Sequence, residues 1–181
     1  MRIVSGKYRH RLISYPMNDP NIRPTKDRVR EAIFSIIGDI SNKVILDLYS
    51  GSGALAVEAL SRNAKKAFLV DSSTHAIEII KENVKSLNIP REDYEILFKS
   101  DLEAIDDFKK REIKFDIIFL DPPYQKGRYE EIISLLVNNG LLAKDSLIVI
   151  ESSKEVLLPN IIFKKRKDYR YGITYVTVLG M

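Results

Sequence analysis

The 181-residue chain is 45% hydrophobic, enough apolar material for one globular domain with a core, and with no cysteine and two histidines it excludes disulfides and thiolate metal sites and argues against a histidine-rich one. Its net charge of +4 is unevenly spread: residues 1–30 hold eight Lys/Arg against two Asp, and residues 161–181 five against one, so the middle of the chain is net acidic. The stretch MRIVSGKYRHR interleaves charges and lacks the apolar segment of a signal peptide, no later run approaches membrane-spanning length, and cytoplasmic residence is expected.

Residues 2–15 (RIVSGKYRHRLISY) carry β-formers around Gly6 and predict a short hairpin, followed by a Pro/Asn/Asp-rich loop, YPMNDPNIRP. Thr25 is placed to cap a helix whose Val29, Ile33, Ile36 and Ile37 share one face, with Gly38 to end it. Lys26, Arg28 and Arg30 fall largely outside that stripe. From residue 44 short apolar runs alternate with amphipathic segments. VILDL (44–48) precedes a helix near 54–62, KAFLVD (66–71) one near 74–87, YEILFKSD (94–101) one near 102–110, and FDIIFLD (115–121) one near 128–138. SLIVIES (146–152) closes the series. Strands separated by helices predict right-handed βαβ units, an α/β fold whose mostly parallel sheet is covered on both faces. The last stretch, NIIFKKRKDYRYGITYVTVLG, reads as two strands around Tyr171-Gly172, an antiparallel hairpin at one edge.

Ligands of such sheets sit outside the carboxyl ends of the strands. There the chain places Asp47, Asp71, Asp101 and Asp121. Aspartate also suits turns and helix caps, but four successive strand ends finishing near an acid point to a lined site. Gly51-x-Gly53-x-x-Ala56, after a strand and before a helix, satisfies the dinucleotide-binding fingerprint, with Asp71 at the spacing of a ribose-binding acid. Asp47 just ahead of the glycine turn repels a pyrophosphate and suits a cation. S-adenosylmethionine has an adenosine end, an ammonium and a sulfonium, and no phosphate, so the electrostatics favour it.

The run DIIFLDPPY (116–124) then aims an acid, two prolines and a tyrosine at the same place. An exocyclic amine on a nucleobase is a weak nucleophile because its lone pair is delocalised into the ring. Asp121 and the carbonyl of Pro122 can each accept one of its N–H groups, and Tyr124 can stack on a base that is single-stranded or flipped out.

The order RPT (23–25), DRVREAIF (27–34), LDLYSGSGAL (46–55), EALSR (58–62) and DPPY (121–124), with the opening RIVSGKYR, resembles the RsmD-type methyltransferases of 16S ribosomal RNA, which act on the exocyclic N2 of a guanine. The resemblance implies a class I S-adenosylmethionine-dependent, Rossmann-like methyltransferase fold of seven strands with the last inserted antiparallel, here as a domain over 23–181 behind a basic hairpin extension over 1–22. It places cofactor contacts at Asp47, Tyr49, Gly51, Gly53, Asp71, Asp101 and Leu102. Target-base duties fall to Asp121, Pro122 and Tyr124. Arg23, Thr25, Arg28, Arg9 and Arg11 are the expected substrate contacts, no metal is expected, and the partner implied is 16S ribosomal RNA within the small subunit or an assembly intermediate. Asp71 stands where the family commonly has Glu, one methylene longer.

DPPY serves any planar exocyclic amine, so a DNA adenine or cytosine amino-methyltransferase is the alternative, and a nicotinamide-dependent oxidoreductase or a nucleotide-binding module a more distant one that leaves DPPY and the basic ends without a role. The clusters Arg2, Lys7, Arg9, Arg11, Lys26, Arg28 and Arg30 at the front and Lys164 to Lys167 behind are expected to neutralise phosphates flanking the site, against the plainer reading of solvated faces.

Overall fold

β1 (Val44–Asp47) pairs in parallel with β2 (Lys66–Asp71) on one side and β4 (Phe115–Leu120) on the other, as its uninterrupted apolar run requires of a strand buried on both faces. β3 (Tyr94–Phe98) extends the sheet beyond β2, and β5 (Leu142–Ser152) lies beside β4, both parallel. β7 (Thr174–Gly180) pairs antiparallel to β5 and to β6 (Lys165–Tyr171), which forms the edge. The order β3-β2-β1-β4-β5-β7-β6 is a seven-stranded sheet that reverses direction of growth between β1 and β4. The structure, a computed structural model, describes residues 1–15, 27–122 and 128–181. None of its helices is long and apolar enough to cross a membrane.

The helices are α1 (Asp27–Ile37), α2 (Ala54–Ser61), α3 (Thr74–Ser86), α4 (Asp101–Lys110) and α5 (Tyr129–Asn138). Local chemistry sets their ends. Ser73 accepts from the Ala76 N–H to start α3, and Ser100 and Glu103 form a reciprocal capping box at the head of α4. Gly38 ends α1 at φ 77°, as expected, while the Thr25 cap lies outside the described residues. One apolar cluster joins α1, α2 and α3 to one face of the sheet, with Phe34 against Phe119 at 5.8 Å between ring centroids; a second joins α4 and α5 to the other.

Residues 2–15 form the expected short hairpin: the Ile3 N–H donates to the Arg11 carbonyl and the Ile13 N–H to the Met1 carbonyl, both at 2.9 Å, on either side of an antiparallel bridge between Arg2 and Leu12. The N–H groups of its turn go to α2. Val4 and Ser5 donate to the carboxylate of Glu58 at 2.8 and 3.0 Å, Lys7 to the Ser61 carbonyl at 2.8 Å and Tyr8 to the Ser61 hydroxyl at 2.9 Å. The approach is close enough that a Cβ on Gly6, at φ 83°, would lie 1.8 Å from the Ser61 carbonyl oxygen. Ile3 and Ile13 are thereby buried in the α1–α3 cluster. One expectation needs correction: β5 starts at Leu142, four residues before the expected Ser146. Its pairing with β4 shifts from Phe115–Leu142 to Ile117–Leu147, and Asp145 at φ 57° lies within the extra length.

Candidate active site

The reversal between β1 and β4 opens a crevice at the carboxyl ends of the strands, where the four acids lie. Asp47, the last residue of β1, is 3% exposed and accepts the Ala56 N–H at 3.3 Å, while Ser50 Oγ donates to its carbonyl at 2.7 Å. Burial, only partly offset by that N–H, and the nearby charge of Asp71 push the Asp47 carboxyl up to about 7. Gly51 and Gly53 take φ of 55° and 76°, and a Cβ on Gly53 would meet Leu69 Cδ2 at 2.9 Å, so the turn packs directly onto β2.

Asp71 ends β2 and holds that turn: Oδ2 accepts the Gly51 N–H at 2.8 Å and Oδ1 the Ser73 N–H at 2.9 Å. The carboxylate expected to grip a ribose therefore also fixes the loops after β1 and β2, and each oxygen retains a second lone pair for a ligand. Asp101, three residues past β3 and the first of α4, accepts from the Tyr49 hydroxyl and from the Leu102 N–H, both at 2.8 Å, which ties the β1 loop to the head of α4. Leu102 is 45% exposed at this rim.

Asp121 and Pro122 follow β4. Burial, and then the negative charges of Glu151 and Asp47, hold the Asp121 carboxyl well above the usual carboxylate range. The register explains the neighbours. Phe119 stands beside both Asp47 and Val149, and Leu120 beside Ile150, so the next step of the ladder sets Asp121 beside Glu151. Ile45, Phe119 and Val149 all face the α1–α3 cluster, and alternation sends Asp47, Asp121 and Glu151 to that same face. Glu151, 7% exposed, was missed from the sequence. Its signal was the ending of SLIVIES, a fifth strand that finishes near an acid.

Of the remaining expected residues, Tyr124, Arg23 and Thr25 lie outside the described residues. Arg28 is exposed in the first turn of α1. Arg9 and Arg11 are not brought to the strand ends: their turn rests on Ser61, at the far end of α2 and about 12 Å of helix beyond the glycine turn. Arg11 donates to the Ser86 carbonyl at 2.5 Å, at the C-terminus of α3. Arg30 cannot meet phosphate. It is fully buried, pairs with Glu58 at 3.4 Å and Asp27 at 3.0 Å, and donates to the Arg2 carbonyl. Lys164 to Lys167 also fail to flank the site. Lys165 stands beside Gly180 and Gly180 beside Leu147, toward the opposite end of β5 from Glu151, and Lys164 pairs with Asp145 at 3.3 Å.

A sheet of this order, with a glycine turn after β1 and an acid-proline step after β4, defines a class I methyltransferase fold. A precorrin-6y C5,15-methyltransferase from Geobacter metallireducens shares that fold at TM-score 0.69 and 17% identity, over 93% of this chain and 94% of that one. Residues 1–180 match the family model described as Conserved hypothetical protein 95, and the chain belongs to this family. Ribosomal RNA small subunit methyltransferase D of Escherichia coli K12 is 35% identical, over 89% of this chain and 79% of its own. A solved structure of a conserved hypothetical protein from Streptococcus pyogenes is 38% identical and superposes at TM-score 0.74, over 84% of this chain and 94% of that one.

Proposed function

We propose that the chain transfers a methyl group from S-adenosylmethionine to the exocyclic N2 of a guanine in 16S ribosomal RNA. The observation that carries this reading is the pair of carboxylates Asp121 and Glu151, side by side on adjoining strands across the crevice from the glycine turn. The name of the Escherichia coli relative supports the small-subunit RNA as substrate.

The crevice suits the cofactor. Asp47, Asp121 and Glu151 make it acidic, which opposes a pyrophosphate and therefore a nicotinamide dinucleotide, and attracts an ammonium and a sulfonium. Asp47 and the Gly51–Gly53 turn would hold the amino-acid end, Asp71 the ribose, and Asp101, Leu102 and Tyr49 the adenine side. When bound, S-adenosylmethionine supplies an electrophilic methyl: the N2–C bond forms as the C–S bond breaks, and the electron pair leaves on a neutral thioether.

The chain's own residues orient the base and take its proton. Asp121 and the Pro122 carbonyl accept the two N2–H groups and so hold the amine, and Tyr124 stacks on the ring. After transfer N2 is cationic and must lose a proton. A carboxylate whose basicity is raised by burial and by Glu151 is suited to receive it. Glu151 also favours guanine over the bases of the DNA alternative. Guanine presents an N1–H donor beside N2, which a second carboxylate accepts, whereas adenine and cytosine present a ring-nitrogen lone pair beside their amine, which it repels.

The test is incubation of the protein with labelled S-adenosylmethionine and small ribosomal subunits lacking the modification, followed by nucleoside analysis. N2-methylguanosine is expected; label in adenosine or cytidine, or none in RNA, overturns the reading. S-adenosylmethionine should also raise the melting temperature by mass action and NAD should not.

A further inference from the structure

β7 runs antiparallel to β5, so the turn between β6 and β7 returns to the end of the sheet that carries the site. Ser152 stands beside Tyr175, and Tyr175 beside Arg170; one row inward, Glu151 stands beside Val176 and Val176 beside Tyr169. Three strand spacings, about 14 Å, separate β4 and its Asp121 from β6. At this turn Arg170 is exposed, its guanidinium lies over the Tyr175 ring at 5.3 Å from the centroid, and its Nε donates to the Gly172 carbonyl at 3.0 Å. No carboxylate among the described residues pairs with it. Ile173, at the tip, is 65% exposed, in a place where a turn accepts any polar residue.

The other cations of β6 are arranged differently. Arg166 is neutralised by Asp168 at 2.8 Å, and Lys167 and Lys165 lie three and five residues, about 10 and 17 Å, further from the site end. The strand thus keeps an arginine unmatched by acid at the site end of the sheet, in the Ser152 row that alternation turns to the face opposite Glu151, and seats it on an aromatic ring.

We propose that the β6–β7 turn, Arg170 on Tyr175 with Ile173 at its tip, is a docking edge for the RNA strand flanking the target base. The proposal rests on the RNA methyltransferase reading above. Single-stranded RNA is held by stacking on aromatic and guanidinium planes together with contacts to phosphate. A guanidinium already fixed by a ring and a carbonyl loses little freedom on binding, keeps outward N–H groups for a phosphate, and presents a plane to a neighbouring base. Ile173 adds an apolar surface to cover the face of an unstacked base. RNA is favoured over a protein partner by the unmatched positive charge beside an aromatic platform.

Steady-state methylation of unmodified small subunits by the Arg170→Glu and Ile173→Asp variants, with melting temperature and S-adenosylmethionine affinity measured in parallel, tests this. KM for subunits should rise about tenfold in Arg170→Glu while kcat and cofactor affinity hold. The salt slope of RNA binding should flatten by about 0.7 to 0.9. Arg170→Lys should recover the slope but only part of KM, because it keeps the charge and loses the plane. Should Arg170→Glu unfold, Ile173→Asp carries the same KM test without touching the Arg170–Tyr175 stack. An unchanged KM in the folded variants, or a photocrosslinker at position 173 that labels ribosomal protein in place of RNA, overturns the docking edge. Failure of the wild-type protein to methylate RNA would instead sink the function reading, and is seen before any variant is made.

Discussion

Glu58 on α2 and Asp47 at the end of β1 are buried in opposite ways. Glu58 is fully buried, yet it accepts the Val4 and Ser5 N–H groups and pairs with Arg30 and with Arg62, the latter at 2.9 Å. Asp47 is nearly as buried and has a single backbone N–H at 3.3 Å, with like charges around it. The first arrangement is complete within the chain and joins its N-terminus to α1 and α2. The second is complete only when a cation or a proton arrives, and that difference separates a structural carboxylate from one held ready for a ligand.

Removing the structural carboxylate should have the largest effect. Glu58→Ala removes one of the two carboxylates that pair with the enclosed Arg30 and leaves the Val4 and Ser5 N–H groups without their acceptor, and should destabilise the fold by about 3–5 kcal/mol in denaturant titration. A loss below about 1 kcal/mol would show that the network is dispensable.

Asp47 should behave in reverse. Unfolded Asp47 loses its proton near pH 3.8, whereas the folded chain holds it to about 7. In that window the folded state binds more protons than the unfolded one, so this group's contribution to stability falls as pH rises from about 4 to about 7 and is flat above. Asp47→Asn should therefore match the wild type at pH 4 and exceed it at pH 8 without cofactor. The ceiling on the gain is roughly 4 kcal/mol, at about 1.4 per pH unit. The same substitution should weaken S-adenosylmethionine binding. Melting curves for the two proteins that run parallel from pH 4 to 8 would contradict the assignment.

Asp121→Asn keeps the shape of the strand end and removes the acceptor of the N2 proton. Turnover should fall on the order of 10²-fold with cofactor affinity nearly intact. Wild-type turnover would remove Asp121 from the chemistry. Tyr124→Ala should weaken binding of the base, and Tyr124→Phe should be nearly silent if stacking is its whole part.

How much of this the sequence disclosed depends on whether the signal was local. Parallel strands buried on both faces read as continuous apolar runs, so β1, β2 and β4 and the acids that end them were visible directly. The N-terminal hairpin was legible from its own β-formers and Gly6, but its anchorage was not: that depends on Glu58 and Ser61, some fifty residues away, and nothing in EALSR says which way a glutamate on a helix points. Arg30 misled for the same reason: outside the apolar stripe of α1, it nevertheless faces Glu58. The pairing of Asp121 with Glu151 is a matter of strand register, which the turn chemistry of a βαβ unit does not set. Lys164 to Lys167 looked adjacent to the site because charge was counted along the chain, whereas an antiparallel strand carries its two ends to opposite ends of the sheet.

The smallest effect is expected from the front cations. Deleting the N-terminal segment would test them poorly, since Ile3 and Ile13 belong to the core and the loss would expose Glu58 and Arg30. Point substitutions avoid that. Arg9 and Arg11 lie at the far end of α2 and α3 from the crevice, whereas Arg28 stands exposed in the first turn of α1. A phosphate contact lowers the salt dependence of RNA binding by about 0.7 to 0.9 when removed, and the influence of a charge fades over a Debye length of about 8–10 Å. Arg28→Ala should therefore flatten the slope by close to one contact, and Arg9→Ala with Arg11→Ala by much less than two. A drop of nearly two contacts in the double variant, with the melting temperature unchanged, would mean that the RNA wraps past α2 to the foot of the sheet, and that the substrate footprint is larger than the crevice and the C-terminal turn define.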